Sequence, residues 1–149
     1  EVTAVCSARN LDMARSIGAD HVIDYTKEDF TQNGGRYDLI FAVNGNHPLS
    51  AYRRALSPQG SYVCAGGALP QIFHAMLLGS LISRKNGKKF GFMGITKYNQ
   101  NDLVYIRELL ETGKVAPVIE KSYPMNEVPA AMRYVAEGHA RGKVVVQVA

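Results

Sequence analysis

The sequence predicts an α/β fold built on a doubly wound parallel sheet. Three observations carry this expectation. Short apolar runs at 2–6, 22–23, 37–43, 61–65 and 90–95 have the length and composition of strands buried on both faces. Segments of helical spacing lie between several of them, as with Leu11, Ala14 and Ile17. Glycines and other breakers mark the exchanges from one to the next. Strand, helix and strand in that order make a right-handed βαβ crossover, the repeating unit of such sheets.

Each element has its own signal. The run 2–6 is a strand of β-formers and small apolar residues, ending at Cys6. Leu11, Ala14 and Ile17 make a helix, which Gly18 can end because it tolerates positive φ. Val22 and Ile23 begin the next strand, and polar residues 27–33 form a short helical turn closed by Gly34 and Gly35. The run 37–43 is the strongest buried-strand signal and leads into the breaker-rich turn 44–48. Residues 49–56 read as an amphipathic helix, 57–60 as its closing turn, and 61–65 as a strand ending at Gly66 and Gly67. Residues 72–82 are apolar almost all the way round, interrupted by His74 and Gly79, so that helix must be buried in the core or in a partner. It is shorter than the ~20 residues a bilayer span needs. The basic run 84–89 reads as a solvated loop guarding a sheet edge, rather than as a nucleic-acid patch, before the last strand at 90–95. Further on, Leu103, Ile106 and Leu110 share one face of a helix over 101–112, with Gly113 as its stop. Then come a strand-like segment at 115–123, a helix N-capped by Asn126 and carrying Val128, Met132 and Val135, and a closing strand at 143–148.

Composition excludes more than it selects. A chain of 149 residues can bury a respectable core, and its net charge of +4 suits a small anionic ligand as well as nucleic acid. Cys6 and Cys64 stand at strand ends outside any metal-spaced cluster, so both read as small buried hydrophobes. No nucleophile–base pair, paired carboxylate or metal-ligand spacing stands out, and the histidines at 21, 47, 74 and 139 are scattered. We therefore expect no catalytic residue and no metal site in this stretch, no nucleic-acid partner, no membrane span and a cytoplasmic setting. The apolar helix and the edge strand together predict a homodimer formed through residues 70–95.

The chemistry concentrates in the turn after the first strand, Cys6-Ser7-Ala8-Arg9-Asn10. In dinucleotide-binding sheets the second strand ends beside the adenosine ribose, where a carboxylate accepts from a 2′-hydroxyl and repels a 2′-phosphate. Here there is no carboxylate. Ser7 can donate a hydrogen bond and Arg9 can grip a phosphate through two parallel bonds. That favours NADP(H) as cofactor. The other reading of the turn is a plain one, with Ser7 or Asn10 capping the helix and Arg9 a solvated charge.

The stretches Val5-Cys6-Ser7 with Arg9-Asn10, Gly18-Ala19-Asp20-His21-Val22-Ile23-Asp24-Tyr25 and Gly138-His139-Ala140-Arg141-Gly142-Lys143-Val144-Val145 resemble the medium-chain dehydrogenase/reductase superfamily. The nearest branch is that of the NADPH:quinone oxidoreductases, related to zinc-containing alcohol dehydrogenases. The resemblance spans essentially the whole chain and implies a Rossmann-like sheet lacking its first strand and Gly-rich loop. No GxGxxG occurs here, and the chain opens at Glu1 directly on a strand, so a C-terminal fragment of a longer protein is expected. The implied division is a partial NADP-binding domain over 1–113 and a C-terminal segment of the catalytic (GroES-like) domain over 114–149, with apolar surface exposed where that domain would pack.

The resemblance also implies the cofactor ligands. Ser7 and Arg9 match the 2′-phosphate turn, and Tyr25 an aromatic near the adenosine phosphate. Asn44 falls at the end of the third strand, where the family carries an aspartate followed by Val-Gly; this sequence departs from that pattern with Ala42-Val43-Asn44-Gly45. Gly66 and Gly67 match the nicotinamide-side turn, and Phe92, Met93 and Gly94 a backbone contact near the same ring. Arg141 and Lys143 match residues that reach the cofactor phosphates. The implied activity is hydride transfer from NADPH to a quinone or an activated enone or carbonyl, with this stretch alone inactive. The alternative is a non-catalytic dinucleotide-binding or dimerisation module.

Overall fold

A computed structural model describes residues 1–67, 72–73, 87–94 and 99–148. The chain is α/β with parallel strand pairs throughout the described residues, and it divides into two compact units, Glu1–Lys97 and Tyr98–Ala149.

In the first unit, β1 (Thr3–Cys6) passes through a 3-10 turn into α1 (Leu11–Ser16) and returns as β2 (His21–Asp24). The two strands pair in parallel, Thr3 opposite His21 and Cys6 opposite Asp24. Gly18 closes the crossover at φ 104°, as its position predicted. Ala14 is buried against the strands, but Ile17 lies just beyond the helix and is exposed. Strand β1 is half-buried rather than buried on both faces, because it has a neighbour on one side only among the described residues. Residues 27–33 form turns and no helix. Asp24 and Asp29 explain why: each carboxylate takes the backbone N–H and the hydroxyl of the threonine two residues on, Thr26 and Thr31, so side chains supply the acceptors a helix would have supplied.

A second sheet of the same unit holds β3 (Tyr37–Ala42), β4 (Leu56–Cys64) and β5 (Lys89–Phe92), in that order and all parallel. The helix α2 (Leu49–Ala55) crosses from β3 to β4 and turns Leu49, Ala51, Tyr52 and Ala55 inward. It ends one residue earlier than its periodicity predicts, and β4 begins at once at Leu56, ahead of the predicted start at Ser61. The pairing with β3 slips between Tyr37↔Leu56 and Leu39↔Ser61. Only a glycine suits position 60 in that bulge, since a Cβ there would stand 2.8 Å from the Tyr37 carbonyl oxygen. Lys88 locks the far side by donating to the Arg53 and Leu56 carbonyls at 2.7 and 2.8 Å, which satisfies acceptors at the end of α2.

The core lies where α2 covers this sheet. Tyr52, Leu56, Tyr62 and Cys64 are fully buried, and Ile23 and Phe30 join them from the β1–β2 side. The Tyr62 ring stacks at 4.6 Å on Tyr52 and at 5.4 Å on Phe90. Cys64 fits its reading as a buried hydrophobe, whereas Cys6 is only half-buried. Of the apolar helix at 72–82 only residues 72–73 fall among those described, as helix. His74, Gly79, residues 84–86 and Ile95 lie outside them.

The second unit is α3 (Gln100–Glu111) followed by β6 (Ile119–Pro124), α4 (Val128–Ala136) and β7 (Lys143–Gln147), with β6 and β7 parallel. Asn99 caps α3 by accepting from the Asn101 N–H at 3.0 Å, and Gly113 ends it at φ 68°. The expected apolar face of α3 forms but buries nothing: Leu103 remains 60% exposed, with Ile106 and Leu110 close behind. Met125, Met132, Val135 and Val148 are exposed as well. Asn126 is not an N-cap. It sits inside a 3-10 turn, Met125–Glu127, and the helix opens behind Glu127 without a side-chain cap. Pro129 in the first turn explains the start, since its fixed φ suits a helix entry and its missing N–H needs no acceptor. Among the described residues no helix is long and apolar enough to cross a membrane.

Candidate functional site

The two sheets of the first unit leave a cleft of about 820 Å³ between β1 and β3. His21 and Tyr25 donate their N–H groups to the Val2 and Cys6 carbonyls, so β1 turns alternate residues to β2 and the backbone of Thr3 and Val5 toward the cleft. Likewise the Ala65 N–H donates to the Ala42 carbonyl at 2.9 Å, which leaves Leu39, Phe41 and Val43 facing it from β3. The mouth of the cleft is formed at the carboxyl ends of the strands. Ser7, Arg9 and Asn10 come from the turn after β1, Tyr25 from the end of β2, and Asn44, Gly45, Asn46 and His47 from the loop after β3. Here the order of strands reverses: the chain runs from β1 outward to β2, then from β3 outward the other way to β4 and β5. Crevices at such reversals are where open α/β sheets bind ligands.

Ser7, Arg9, Tyr25 and Asn44 are thus brought to one cleft. Neither Ser7 nor Asn10 caps α1 or its 3-10 lead-in with a side chain; instead the Asn10 amide donates weakly to the Ser7 hydroxyl at 3.4 Å. The other end of that amide, Asn10 Oδ1, is a buried acceptor without a partner. Of the nearby acids, Asp29 commits both oxygens to Thr31 and Gln32, whereas Asp24 commits Oδ1 to Thr26 and leaves Oδ2 a second buried acceptor without a partner. Hydrogen bonds from Thr26 hold the Asp24 carboxyl below its ordinary range, and those from Thr31, then Gln32, do the same for Asp29. Burial, with the Asp24 charge in support, pushes the Cys6 thiol up, which makes it a poor nucleophile.

Gly66 and Gly67 lie one strand further along and touch the loop after β3. Gly67 pairs with Gly45 in an isolated parallel bridge, at φ 125°. A Cβ on Gly66 would stand 2.5 Å from the Val43 carbonyl oxygen. These glycines let the ends of β3 and β4 close on each other, backbone to backbone. Beyond them, Phe92 ends β5 beside the core, the Met93 N–H donates to the Cys64 carbonyl at 2.9 Å, and Gly94 turns at φ 70°.

Arg141 and Lys143 belong to the second unit. There Glu120, a residue without a recognisable motif, organises the Arg-Gly-Lys loop. Its carboxylate accepts from the N–H groups of Arg141 and Gly142 at 2.6 and 3.1 Å and from the Tyr134 hydroxyl at 2.9 Å. These bonds, Gly142 foremost, bring the Glu120 pKa down to about 2. A Cβ on Gly142 would meet the Val118 carbonyl oxygen at 2.6 Å, so glycine is required in the loop. A carboxylate with a depressed pKa stabilises the fold above its unfolded value and loses that contribution as pH falls through the folded one. We expect Glu120→Gln to lower the urea midpoint of the second unit at pH 7, and the gap to wild type to close between about pH 4.5 and about 2. A gap unchanged across that window would show that Glu120 does not hold the loop through its charge.

Sequence reasoning placed Asn10 in the candidate turn and His47 in the loop after the third strand, both of which line the cleft, without naming either as a ligand, and it passed over Glu120. His47 packs edge-on against Phe30 and Tyr52 and lies 3.8 Å from Asp29. Its position in the breaker-rich loop after the third strand was the available signal. Among the described residues no three His, Cys, Asp or Glu side chains gather as a metal-ligand group.

A family model described as zinc-binding dehydrogenase matches residues 17–146. The chain is 29% identical over 150 residues to the chloroplastic quinone-oxidoreductase QR1 of Triphysaria versicolor, covering 98% of this chain and 44% of that protein. It is 30% identical over 148 residues to the chloroplastic NADPH-dependent alkenal/one oxidoreductase of Arabidopsis thaliana, covering 98% of this chain and 33% of the relative. The chain therefore spans less than half the length of these relatives. Among solved structures, the quinone oxidoreductase from Coxiella burnetii superposes with a TM-score of 0.75 at 22% identity, over 99% of this chain and 45% of that one. This likeness confirms the Rossmann-like sheet.

Proposed function

Because the chain belongs to the zinc-binding dehydrogenase family, we propose that it is the cofactor-binding portion of an NADPH-dependent oxidoreductase that transfers hydride to a quinone or an activated enone or carbonyl. The observation that carries this reading is the turn after β1. It brings Ser7 and Arg9, with no carboxylate of its own, to a cleft at the reversal point of a parallel sheet. The names of the relatives, quinone oxidoreductase and NADPH-dependent alkenal/one oxidoreductase, support the reaction class.

The residues fit the cofactor by the chemistry of their donors and acceptors. The Ser7 hydroxyl and the Arg9 guanidinium suit a 2′-phosphate, the unpartnered Asn10 Oδ1 suits a ribose hydroxyl, and Tyr25 offers an aromatic wall on the same side. Gly66 and Gly67 themselves place no side chain at the ends of β3 and β4, which suits close approach by a ring. Bound NADPH supplies the hydride; the chain's residues orient it. The resemblance assigns the cofactor phosphates to Arg141 and Lys143; within the second unit Glu120 fixes the Arg141 backbone and lies 3.7 Å from its guanidinium. Residues 114–149 are then the C-terminal segment of a catalytic domain, and their exposed Met132 and Val135 belong to its interface.

The test is turnover by the longer protein. NADPH oxidation should be driven by a quinone such as menadione or by an alkenal, and NADPH should be preferred to NADH. NADPH binding at this cleft without turnover by either acceptor class would replace this reading with that of a non-catalytic dinucleotide-binding module.

A further inference from the structure

We propose that the amino-terminal rim of the three-stranded sheet is a docking surface for an anionic lipid membrane, with Arg36, Arg54 and Lys89 at its face and the cavity beside α2 as the seat of a lipid headgroup. The charge of the first unit is segregated. Residues 1–35 hold three lysines and arginines against six acids, whereas residues 36–97 hold eight against one, Asp38. The fold gathers the described members of the second set at one end. Arg36 stands just ahead of β3, Arg53 and Arg54 lie in the last turn of α2 ahead of β4, and Lys88 and Lys89 enter β5. The three strands are parallel neighbours, and Lys88 reaches the Arg53 and Leu56 carbonyls, so these entries share one rim. The crowding is direct: burial first, then the charges of Arg36 and Arg53, push the Lys88 pKa down. Asp38, the acid on this rim, accepts from the Ser57 hydroxyl at 2.7 Å. The cofactor cleft opens at the other rim, at the carboxyl ends of the strands, so a body docked here leaves it clear.

The cavity says which kind of anion. It holds about 460 Å³ and is lined by Leu49, Ser50, Arg53, Arg54 and Lys88. Three of these five are cations and none is an acid, yet the wall is almost wholly carbon, so side-chain stems face the cavity and the charged heads stand around it. Long cationic side chains that lay their carbon against an apolar body and keep their charge in water suit the boundary between lipid headgroups and acyl chains. Clusters of about four to eight Lys and Arg bind anionic membranes in this way, and Arg36, Arg53, Arg54, Lys88 and Lys89 make such a cluster. Nucleic acid is a poorer partner, because single strands are held by aromatic platforms between the cations. No aromatic side chain lines this cavity among the described residues. A free phosphate would leave the carbon wall without a partner. The contact is peripheral and needs no spanning helix.

Co-sedimentation of the longer protein with vesicles tests this without cofactor, so its failure would leave the hydride-transfer reading untouched. Vesicles of phosphatidylglycerol and phosphatidylcholine at about 3:7 should bind the protein, vesicles of phosphatidylcholine alone should not, and salt raised to about 0.5 M should release it. Arg36→Gln combined with Arg54→Gln removes two exposed cations that lie outside the segment 70–95 and outside the cofactor cleft. At about a factor of five for each charge, vesicle affinity should fall about 25-fold. NADPH oxidation with a soluble acceptor should stay unchanged, which shows that the variant is folded. Arg36→Lys with Arg54→Lys keeps the charge and should bind like wild type. No binding to the anionic vesicles, equal binding to neutral ones, or unaltered binding by the glutamine variant would overturn the proposal. Release by inorganic phosphate at constant ionic strength would also overturn it, making a small phosphate the occupant. Tighter binding of a single-stranded oligonucleotide than of the vesicles would do so in favour of nucleic acid.

Discussion

Tyr62→Ala is expected to lower stability by about 3–5 kcal/mol, the usual cost of emptying a large aromatic site in a core. Tyr62 is 1% exposed and lies in the middle strand of the three-stranded sheet, with Ile40 opposite on one side and Phe90 on the other. Its ring is held between Tyr52 from α2 and Phe90 from β5. Truncation removes two ring–ring contacts and leaves a void that neither backbone can close, because both flanking strands are hydrogen-bonded in register. At about 4–8 °C per kcal/mol for a unit of 60–100 residues, the thermal midpoint of the first unit should fall by at least about 12 °C. Tyr62→Phe keeps the stack and should cost no more than about 1.5 kcal/mol, the worth of one hydrogen bond. Urea unfolding followed by circular dichroism checks both. A loss under about 1 kcal/mol for the alanine variant, the size of an ordinary surface substitution, would mean that the core is not built around this ring.

Ser7→Asp combined with Arg9→Ala, made in the longer protein, should invert or abolish the preference for NADPH. The arginine contributes charge-assisted hydrogen bonds to a phosphate, worth about 1.5–3 kcal/mol, and the new carboxylate repels the same group while accepting from a 2′-hydroxyl. At 1.4 kcal/mol per factor of ten, the ratio of kcat/KM for NADPH over NADH should fall about 10- to 100-fold. Most of the change should lie in KM, since the 2′-phosphate is remote from the reacting atoms. An unchanged ratio would remove Ser7 and Arg9 from the cofactor site. A loss with both cofactors alike would point to damage to the turn, for which the Ser7→Asp single variant is the control.

The strands were legible because they are short apolar runs closed by breakers, and the stops at Gly18 and Gly113 because positive φ is a local demand. The turn at Ser7 and Arg9 was legible for the same reason: its chemistry sits in five consecutive residues. The misreadings have local causes too. Asn126 looked like a cap, but Pro129 set the entry of α4; residues 27–33 looked helical, but Asp24 and Asp29 drew the backbone into threonine-closed turns.

Glu120 was invisible, since its partners lie 14 to 22 residues away and no pattern of neighbours announces them. The cleft was implied by the family resemblance alone: a strand's composition tells whether its faces are buried, not whether its edges are paired. Periodicity and turn chemistry act over a few residues, so the identity and order of the elements were written in the chain. Strand pairing, the closure of Gly66 on Val43 and the anchoring of the 141–142 loop depend on contacts between distant segments, and those exist only once the chain has packed.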